Sequence, residues 1–364
     1  ALAGDGALLP YAEGSPRPVV SPSDPADLPD DLAVAVGTSG STGRAKRALL
    51  TSSALQASAR STHETLGGAG AWLLAMPAAH VAGLQVLVRS LVAGTRPTVV
   101  DSRDGFTASA FVSAARAMPT QDRRYTALVP TQLGRLLGDE EGARVLAGFD
   151  AVLVGGAATP GAMHRRALAA GVRLVLTYGM SETAGGCVYD GVPLRVSRVH
   201  IDNDRHVVLG GETLASGYLG EPALTAVAFS VDSDGVRWFR TDDLGHFEEG
   251  LLVLDGRADD LINSGGLKVT PGVVEDAISR HVPDVLDVVV LGRADPDWGE
   301  TVCAAVTLLD PRRHVTAPEL RDRLRGILPD AALPRHVVVL SAIPQRGPGK
   351  PDRAAIRQVF EELP

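Results

Sequence analysis

Apolar and polar positions change rhythm three times along this chain. Ala33-Val34-Ala35-Val36 is a short apolar run that delivers a glycine-rich turn. From there to about residue 180, apolar β-branched runs at Pro97–Val100, Thr126–Val129, Ala151–Val154 and Val172–Leu176 are separated by helical stretches rich in Ala, Leu and Arg. Alternation of this kind predicts a mostly parallel sheet covered by helices. Between about residues 192 and 256 the runs shorten to Arg205–Leu209, Arg237–Arg240 and Leu251–Leu254, punctuated by Gly, Asp and Asn, which predicts a small β subdomain. After Gly256 a third pattern begins. A helix opens near Pro271, where proline at a first turn is tolerated. Strands follow at Val285–Leu291 and Val302–Leu309, then a helix over Ala317–Leu328, a strand at His336–Leu340 and a last helix from Asp352. The expected fold is α/β. A large N-terminal domain over residues 1–258 combines parallel-rich sheets, their helices and the small β subdomain; a smaller α+β domain covers residues 259–364. A chain of 364 residues exceeds what one core usually organises, in keeping with two domains.

Composition removes several function classes. Lys and Arg total 35 against 43 Asp and Glu, a net charge of −8, so the chain lacks the basic face that general nucleic-acid binding needs. Cys187 and Cys303 make no disulfide framework; both are expected to pack as small apolar residues in a protein of the reducing cytoplasm. The most apolar stretch, Ala71 to Gly94, is interrupted by Pro77, His80, Gln85 and Arg89, so no membrane span is expected. The opening ALAGDGALLPYAEG lacks the basic start and long apolar run of a secretory signal, and a beginning at Ala1 reads as a trimmed or cropped start. Residues 14–31 hold five prolines and read as an extended lead-in.

Four segments carry chemistry. In Thr38-Ser39-Gly40-Ser41-Thr42-Gly43-Arg44-Ala45-Lys46, glycines let successive N–H groups point inward while hydroxyls and a lysine add donors, a combination suited to a phosphate chain. A Ser/Gly-rich linker is the plain alternative. A Walker A loop is not, because Lys must follow its second glycine directly and Gly43 is followed by Arg44. Thr177-Tyr178-Gly179-Met180-Ser181-Glu182-Thr183 follows a strand whose carboxyl end is a ligand-binding position in a parallel sheet. Its ring, hydroxyls and carboxylate suit a base and a metal; alternatively it is a strand-to-helix turn with Ser181 as N-cap. Val154-Gly155-Gly156-Ala157 ends another strand and permits close approach by a flat ligand. Arg240-Thr241-Asp242-Asp243-Leu244-Gly245 offers a carboxylate for two vicinal sugar hydroxyls, or is simply a turn.

These blocks, in this order, with Gly256-Arg257-Ala258-Asp259-Asp260-Leu261-Ile262 and Gly349-Lys350 behind them, resemble the adenylate-forming superfamily: the acyl-CoA synthetases, the adenylation domains of peptide synthetases and the luciferases. The resemblance runs from Val36 to the C-terminus, and YGMSET and GRADDLINSGGLKV are its most specific parts. It implies an enzyme using ATP, Mg²⁺ and CoA. By that resemblance Thr38, Ser39, Gly40, Ser41, Thr42, Gly43 and Lys46 hold the ATP phosphates, with Thr42 near the β/γ end. Gly155, Gly156, Ala157 and Tyr178 sandwich the adenine, with Gly179, Met180 and Ser181 beside them, and Glu182 binds Mg²⁺. Asp242 and Arg257 hold the ribose, Asp259 is the hinge, and Lys350 bridges the attacking carboxylate and the α-phosphate. Gly265 and Gly266 line the pantetheine path, with Lys268 among the cofactor-binding residues. Rotation of the small domain exchanges the adenylation and thiol-transfer arrangements. Without the resemblance, Lys350 is a solvated loop lysine.

The chain departs from the superfamily pattern in two places. Only 37 residues precede Thr38, so part of the usual front end is absent, which raises the expectation of a homodimer. Leu176 stands where many relatives place Asn or Gln two residues before the Tyr of the YG motif, leaving backbone groups to recognise adenine.

The acid is addressed by Pro77-Ala78-Ala79-His80-Val81-Ala82-Gly83 and by Arg89 nine residues after His80. An arginine in an apolar helix either pairs with an anion, snorkels to solvent or meets a local Asp. The spacing from His80 through Gly83 to Arg89, the stretch Ala127–Leu133 and the short front end are similar to the o-succinylbenzoate–CoA ligases of menaquinone biosynthesis, in their short actinobacterial form. That similarity implies Arg89 on the benzoate carboxylate, and His80 closing over the succinyl carboxylate or the adenylate. His80 read alone is a satisfied histidine at a strand end. The alternatives are a ligase for another aryl or medium-chain acid, transfer to a carrier-protein pantetheine, and a non-catalytic nucleotide-binding homologue.

Overall fold

The structure, a computed structural model, describes residues 1–3, 6–11, 17, 28–38, 46–103, 105–120, 123–310, 312–345 and 351–362. It divides into two compact units. The first is formed by Ala1–Gly156, Ala170–Asp202 and Val208–Thr241, the second by Ala157–Ala169, Asn203–Val207 and Asp242–Pro364.

The first unit is built on a seven-stranded sheet, ordered Thr98–Val99, Ala71–Leu74, Arg124–Leu128, Ala151–Val154, Leu174–Met180, Gly185–Tyr189, Val192–Pro193. The first five strands pair in parallel and the last two antiparallel. Ala71–Leu74 and Ala151–Val154 are buried along their whole length, as strands covered on both faces must be. Trp72, Leu74, Val86, Tyr125, Ala127, Leu153 and Tyr189 share one core. Covering helices begin where a side chain can take over an unpaired N–H. Thr51 accepts from Ala54 N, Thr107 from Ala110 N and Asp139 from Gly142 N. The run at Pro97–Val100 is a strand only over Thr98–Val99, at the sheet edge, where Pro97 has no N–H to offer.

Two antiparallel features complete this unit. Leu32–Gly37 pairs antiparallel with Arg47–Thr51, with Gly37 opposite Arg47. Phe229–Val231 pairs with the start of Arg237–Glu248, placing Phe229 opposite Phe239.

In the second unit, Leu267–Val269, Ile262–Ser264, Gly299–Leu308 and Val285–Asp295 follow one another across a sheet, and His336–Val339 joins Gly299–Leu308 in parallel. Strand periodicity sorts its two faces. Val288, Val290, Val302, Ala304 and Val306 pack with Val274, Ile278, Leu320 and Leu324 of helices Pro271–His281 and Ala317–Leu324. Val289, Leu291, Cys303 and Ala305 pack with Ile356 and Phe360 of helix Arg353–Glu361. The helix expected over Ala317–Leu328 stops at Leu324, because Arg325 is extended and Gly326 turns left-handed with φ +80°. Both cysteines are buried, as small apolar residues are. Among the described residues no helix is long and apolar enough to cross a membrane.

Candidate active site

The base of the phosphate-loop candidate is closed by Thr38, which donates its N–H to Lys46 O at 2.8 Å. Ser39, Gly40, Ser41, Thr42 and Gly43 lie outside the described residues, as does Lys350. Next to that base stands the turn after Leu174–Met180. Ser181–Thr183 forms a single 3₁₀ turn closed by Ala184 in left-handed geometry, φ +52°. No α-helix follows, so Ser181 is not an N-cap. Its hydroxyl instead donates to Gly37 O at 3.1 Å, tying the turn to the strand Leu32–Gly37. Thr183 Oγ1 accepts from Met180 N at 2.9 Å and donates to Gly185 O at 2.7 Å, which holds Glu182 in place between them.

Glu182 is buried, and its Oε1 accepts a hydrogen bond from the Tyr218 hydroxyl at 2.9 Å. Tyr218 reaches it because residues 216–219 run alongside Arg47–Thr51, with Ala48 opposite Tyr218 and Leu219 N donating to Arg47 O at 2.9 Å. The same ring carries Lys46 Nζ 5.3 Å from its centroid. Lys46, Tyr218 and Glu182 thus form one polar group beside the loop base. Tyr218 and Gln85 were not legible as site residues. Gln85 Nε2 donates to Ala184 O at 2.7 Å and so braces the turn from the helix Val81–Val92. Among the described residues no three or more His, Cys, Asp or Glu side chains converge as a metal centre. A single buried carboxylate still fits Mg²⁺, which keeps waters and substrate phosphate oxygens as its other ligands.

At the neighbouring strand end, a Cβ on Gly155 would lie 2.8 Å from Thr177 O. The missing side chain there is demanded by the strand carrying Tyr178. Gly156 is left-handed at φ +81°, and Ala157 opens the segment assigned to the second unit.

Arg89 is buried on the helix Val81–Val92, so it does not snorkel, and it meets no aspartate among the described residues. Among the described residues it has no carboxylate within ion-pair distance. Its Nη2 donates to Tyr189 Oη at 3.2 Å, its guanidinium lies 4.8 Å from the Trp72 ring centroid, and its Nε has no hydrogen-bond partner among the described residues. Tyr189 Oη is also within 2.9 Å of Thr62 Oγ1. Trp72 Nε1 donates to His63 Nε2 at 3.2 Å. Burial, and then the charge of Arg89, push the His63 pKa down to about 4, so this imidazole is neutral near pH 7. Desolvation also pulls Arg89 below the ordinary guanidinium value. His80 is exposed immediately before this helix, without a side-chain capping bond, and Gly83 lies in its first turn.

In the second unit Arg257 gathers its neighbours. Its Nε donates to Asp259 Oδ1 at 2.8 Å, and its Nη2 reaches Asp259 Oδ2 at 2.9 Å and Asp242 Oδ2 at 3.3 Å. The bidentate guanidinium holds the Asp259 carboxyl below its usual range. Lys268 is exposed on Leu267–Val269, opposite Asn263. Gly265 and Gly266 form the turn before it, with φ +57° and +79°. A Cβ on Gly265 would lie 2.7 Å from the Trp298 ring, over which the Arg335 guanidinium sits 3.8 Å from the ring centroid.

The chain is similar to known proteins along most of its length. Residues 4–214 match the family described as AMP-binding enzyme, and residues 273–350 match the AMP-binding enzyme C-terminal domain. A probable 2-succinylbenzoate–CoA ligase of Mycobacterium tuberculosis (strain CDC 1551 / Oshkosh) is 44% identical over 92% of this chain and 86% of its own length. An indoleacetate–CoA ligase of Aromatoleum aromaticum is 30% identical over 93% of this chain and 69% of its own. The o-succinylbenzoate–CoA synthetase of Bacillus subtilis, solved with its acyl-adenylate intermediate, superposes with a TM-score of 0.73 at 25% identity, over 92% of this chain and 69% of that one. The chain belongs to the AMP-binding enzyme family.

Proposed function

We propose that the chain is an ATP-dependent acid–thiol ligase, the o-succinylbenzoate–CoA ligase of menaquinone biosynthesis. The observation that carries the substrate is the buried Arg89 guanidinium, faced by a phenol and an indole but by no carboxylate among the described residues. A buried charge of this kind is relieved by an anion. The benzoate carboxylate of o-succinylbenzoate supplies it, while the succinyl carboxylate is the one activated. The names of the similar ligases support the same acid.

The reaction has two halves. The succinyl carboxylate attacks the α-phosphorus of ATP, the bond to the β-phosphate oxygen breaks, and pyrophosphate leaves. The CoA thiolate then attacks the acyl carbonyl carbon and AMP departs. In this reading Thr38, Lys46 and the loop between them hold the phosphates, with Thr42 at the β/γ end. Tyr178 and Gly155–Ala157 flank the adenine, and Asp242 with Arg257 takes the ribose. Glu182 would hold Mg²⁺, which neutralises phosphate charge. Lys350 stabilises the charge spread over the transition state, and His80 closes over the acyl end. Asp259 is the hinge about which residues 259–364 turn as a mobile domain, bringing Gly265 and Gly266 to the pantetheine arm. Cytoplasmic residence belongs to the same reading, supported by ATP and CoA as co-substrates and by two cysteines buried as free thiols. A homodimer belongs to the same reading and is read by sedimentation velocity.

The test is thioester formation from o-succinylbenzoate, ATP, Mg²⁺ and CoA, with benzoate, octanoate and indoleacetate alongside. Strong selectivity for the dicarboxylate is expected. Turnover of indoleacetate in its place would favour the second reading, a ligase for another aryl acid, which the likeness to an indoleacetate–CoA ligase motivates. Absence of turnover with every acid would overturn both.

A further inference from the structure

Arg353 is the first residue of helix Arg353–Glu361, three positions after Lys350. Its guanidinium reaches three other elements of the same unit. Nη1 donates to Val290 O at 2.6 Å, Nη2 lies 3.4 Å from Glu275 Oε1, and Nε lies 3.3 Å from Asp260 Oδ2. Asp260 closes the 3₁₀ turn Ala258–Asp260, directly after Asp259. Glu275 comes from helix Pro271–His281, and its Oε1 also accepts from Val290 N at 2.8 Å. Val285–Asp295 stands at the end of its sheet, so the outward N–H and C=O of Val290 would otherwise have no strand to pair with. Glu275 and Arg353 take one each.

The chain on either side of residues 346–350 is held as well. Gln345 and Pro351 form an antiparallel bridge, and Asp352 N donates to Pro344 O at 2.8 Å. Asp352 Oδ1 then accepts from Ala355 N at 3.1 Å and caps the helix that Arg353 begins. Three residues span at most roughly 10 Å, so whatever fixes Arg353 limits where Lys350 can stand. A group that stabilises a transition state electrostatically must be held in place beforehand, so what fixes its neighbours in the chain bears on its geometry.

We propose that Arg353 is a positioning residue for adenylation: through Asp260, Glu275 and Val290 it fixes the start of helix Arg353–Glu361, three positions after Lys350 in the chain, to the hinge turn. The inference rests on the reading of Lys350 as the adenylation lysine and Asp259 as the hinge. It assigns Arg353 no part in thiol transfer, where Lys350 is withdrawn.

The test separates the half-reactions. Pyrophosphate release from o-succinylbenzoate and ATP reads adenylation; AMP release from synthetic o-succinylbenzoyl-adenylate and CoA reads thiol transfer. Arg353→Ala is expected to slow adenylation by about 100-fold, the scale of a displaced catalytic group, and to leave thiol transfer within about twofold. Arg353→Lys, which keeps the charge but not the fork, is expected to recover part of the loss. Equal loss in both halves, or undiminished adenylation, overturns the proposal. Should Arg353→Ala not fold, Arg353→Lys and Glu275→Gln decide it by the same split. Lys350→Ala run beside them isolates the premise: normal adenylation in that variant refutes the lysine assignment, whereas its loss alongside a normal Arg353→Ala refutes only the role given to Arg353.

Discussion

The Tyr218 hydroxyl donates to Glu182 Oε1 at 2.9 Å across 36 residues of sequence, with Lys46 Nζ over the same phenol ring at 5.3 Å. The hydroxyl restrains a carboxylate that needs a fixed direction to serve a cation. Tyr218→Phe is expected to raise the Mg²⁺ concentration for half-maximal pyrophosphate release by about tenfold, the usual scale for removing a partner of a metal ligand. Glu182→Gln should lower adenylation at saturating Mg²⁺ much further. Unchanged Mg²⁺ dependence in both variants would separate Glu182 from the metal.

Arg89 offers a test in which stability and binding part company. Replacing a buried, unpaired charge by an apolar residue of similar length is commonly neutral or stabilising by about 1 kcal/mol or more. Arg89→Met is therefore expected to match or exceed the wild-type midpoint in urea, while KM for o-succinylbenzoate rises at least tenfold by the scale of a lost charge-assisted bond, about 1.5–3 kcal/mol. A destabilised variant with unaltered KM would make Arg89 a core residue only.

His63 ties stability to acid. Its pKa is about 4 when folded against 6.5 when free, so between those values the unfolded chain holds a proton that the folded chain refuses. Stability is therefore full above pH 6.5 and falls as pH drops toward 4, by an amount of order 3 kcal/mol at the low end. His63→Gln, which can still accept from Trp72 Nε1, should flatten this decline in urea midpoints taken from pH 8 to pH 4.5.

Asp287 gives the opposite slope. Burial raises its pKa from 3.8 to about 6, so the folded chain binds the extra proton between those values and gains stability as pH falls through 6. Above pH 6 the ionised group is a burden, and Asp287→Asn should stabilise the protein at pH 8 by an amount of order 1 kcal/mol, converging with wild type near pH 4. Asparagine can keep the acceptor used by Val288 N at 2.9 Å, so the comparison isolates the charge.

Local periodicity determined much of this protein. Ala151–Val154 is a strand end to end, and the helix after Thr270 opens on Pro271, because apolar alternation and proline geometry act within a few residues. The ordered motifs likewise carried the family, since each is a short stretch of backbone with its own chemistry. Tertiary structure decided what those motifs touch. It paired Leu32–Gly37 with Arg47–Thr51, turned Ser181 from a cap into a tie to Gly37 O, and enclosed Arg89 between Trp72 and Tyr189 with no acid beside it among the described residues. It also joined Ala157–Ala169 and Asn203–Val207 to the unit that holds residues 242–364. Glu182 meets Tyr218, and Arg353 meets Asp260 and Glu275, across separations that no local pattern spans. Such contacts exist only once the sheets have formed and brought distant turns to one place, which is why the chemistry of single residues was legible in the chain and their partnerships were not.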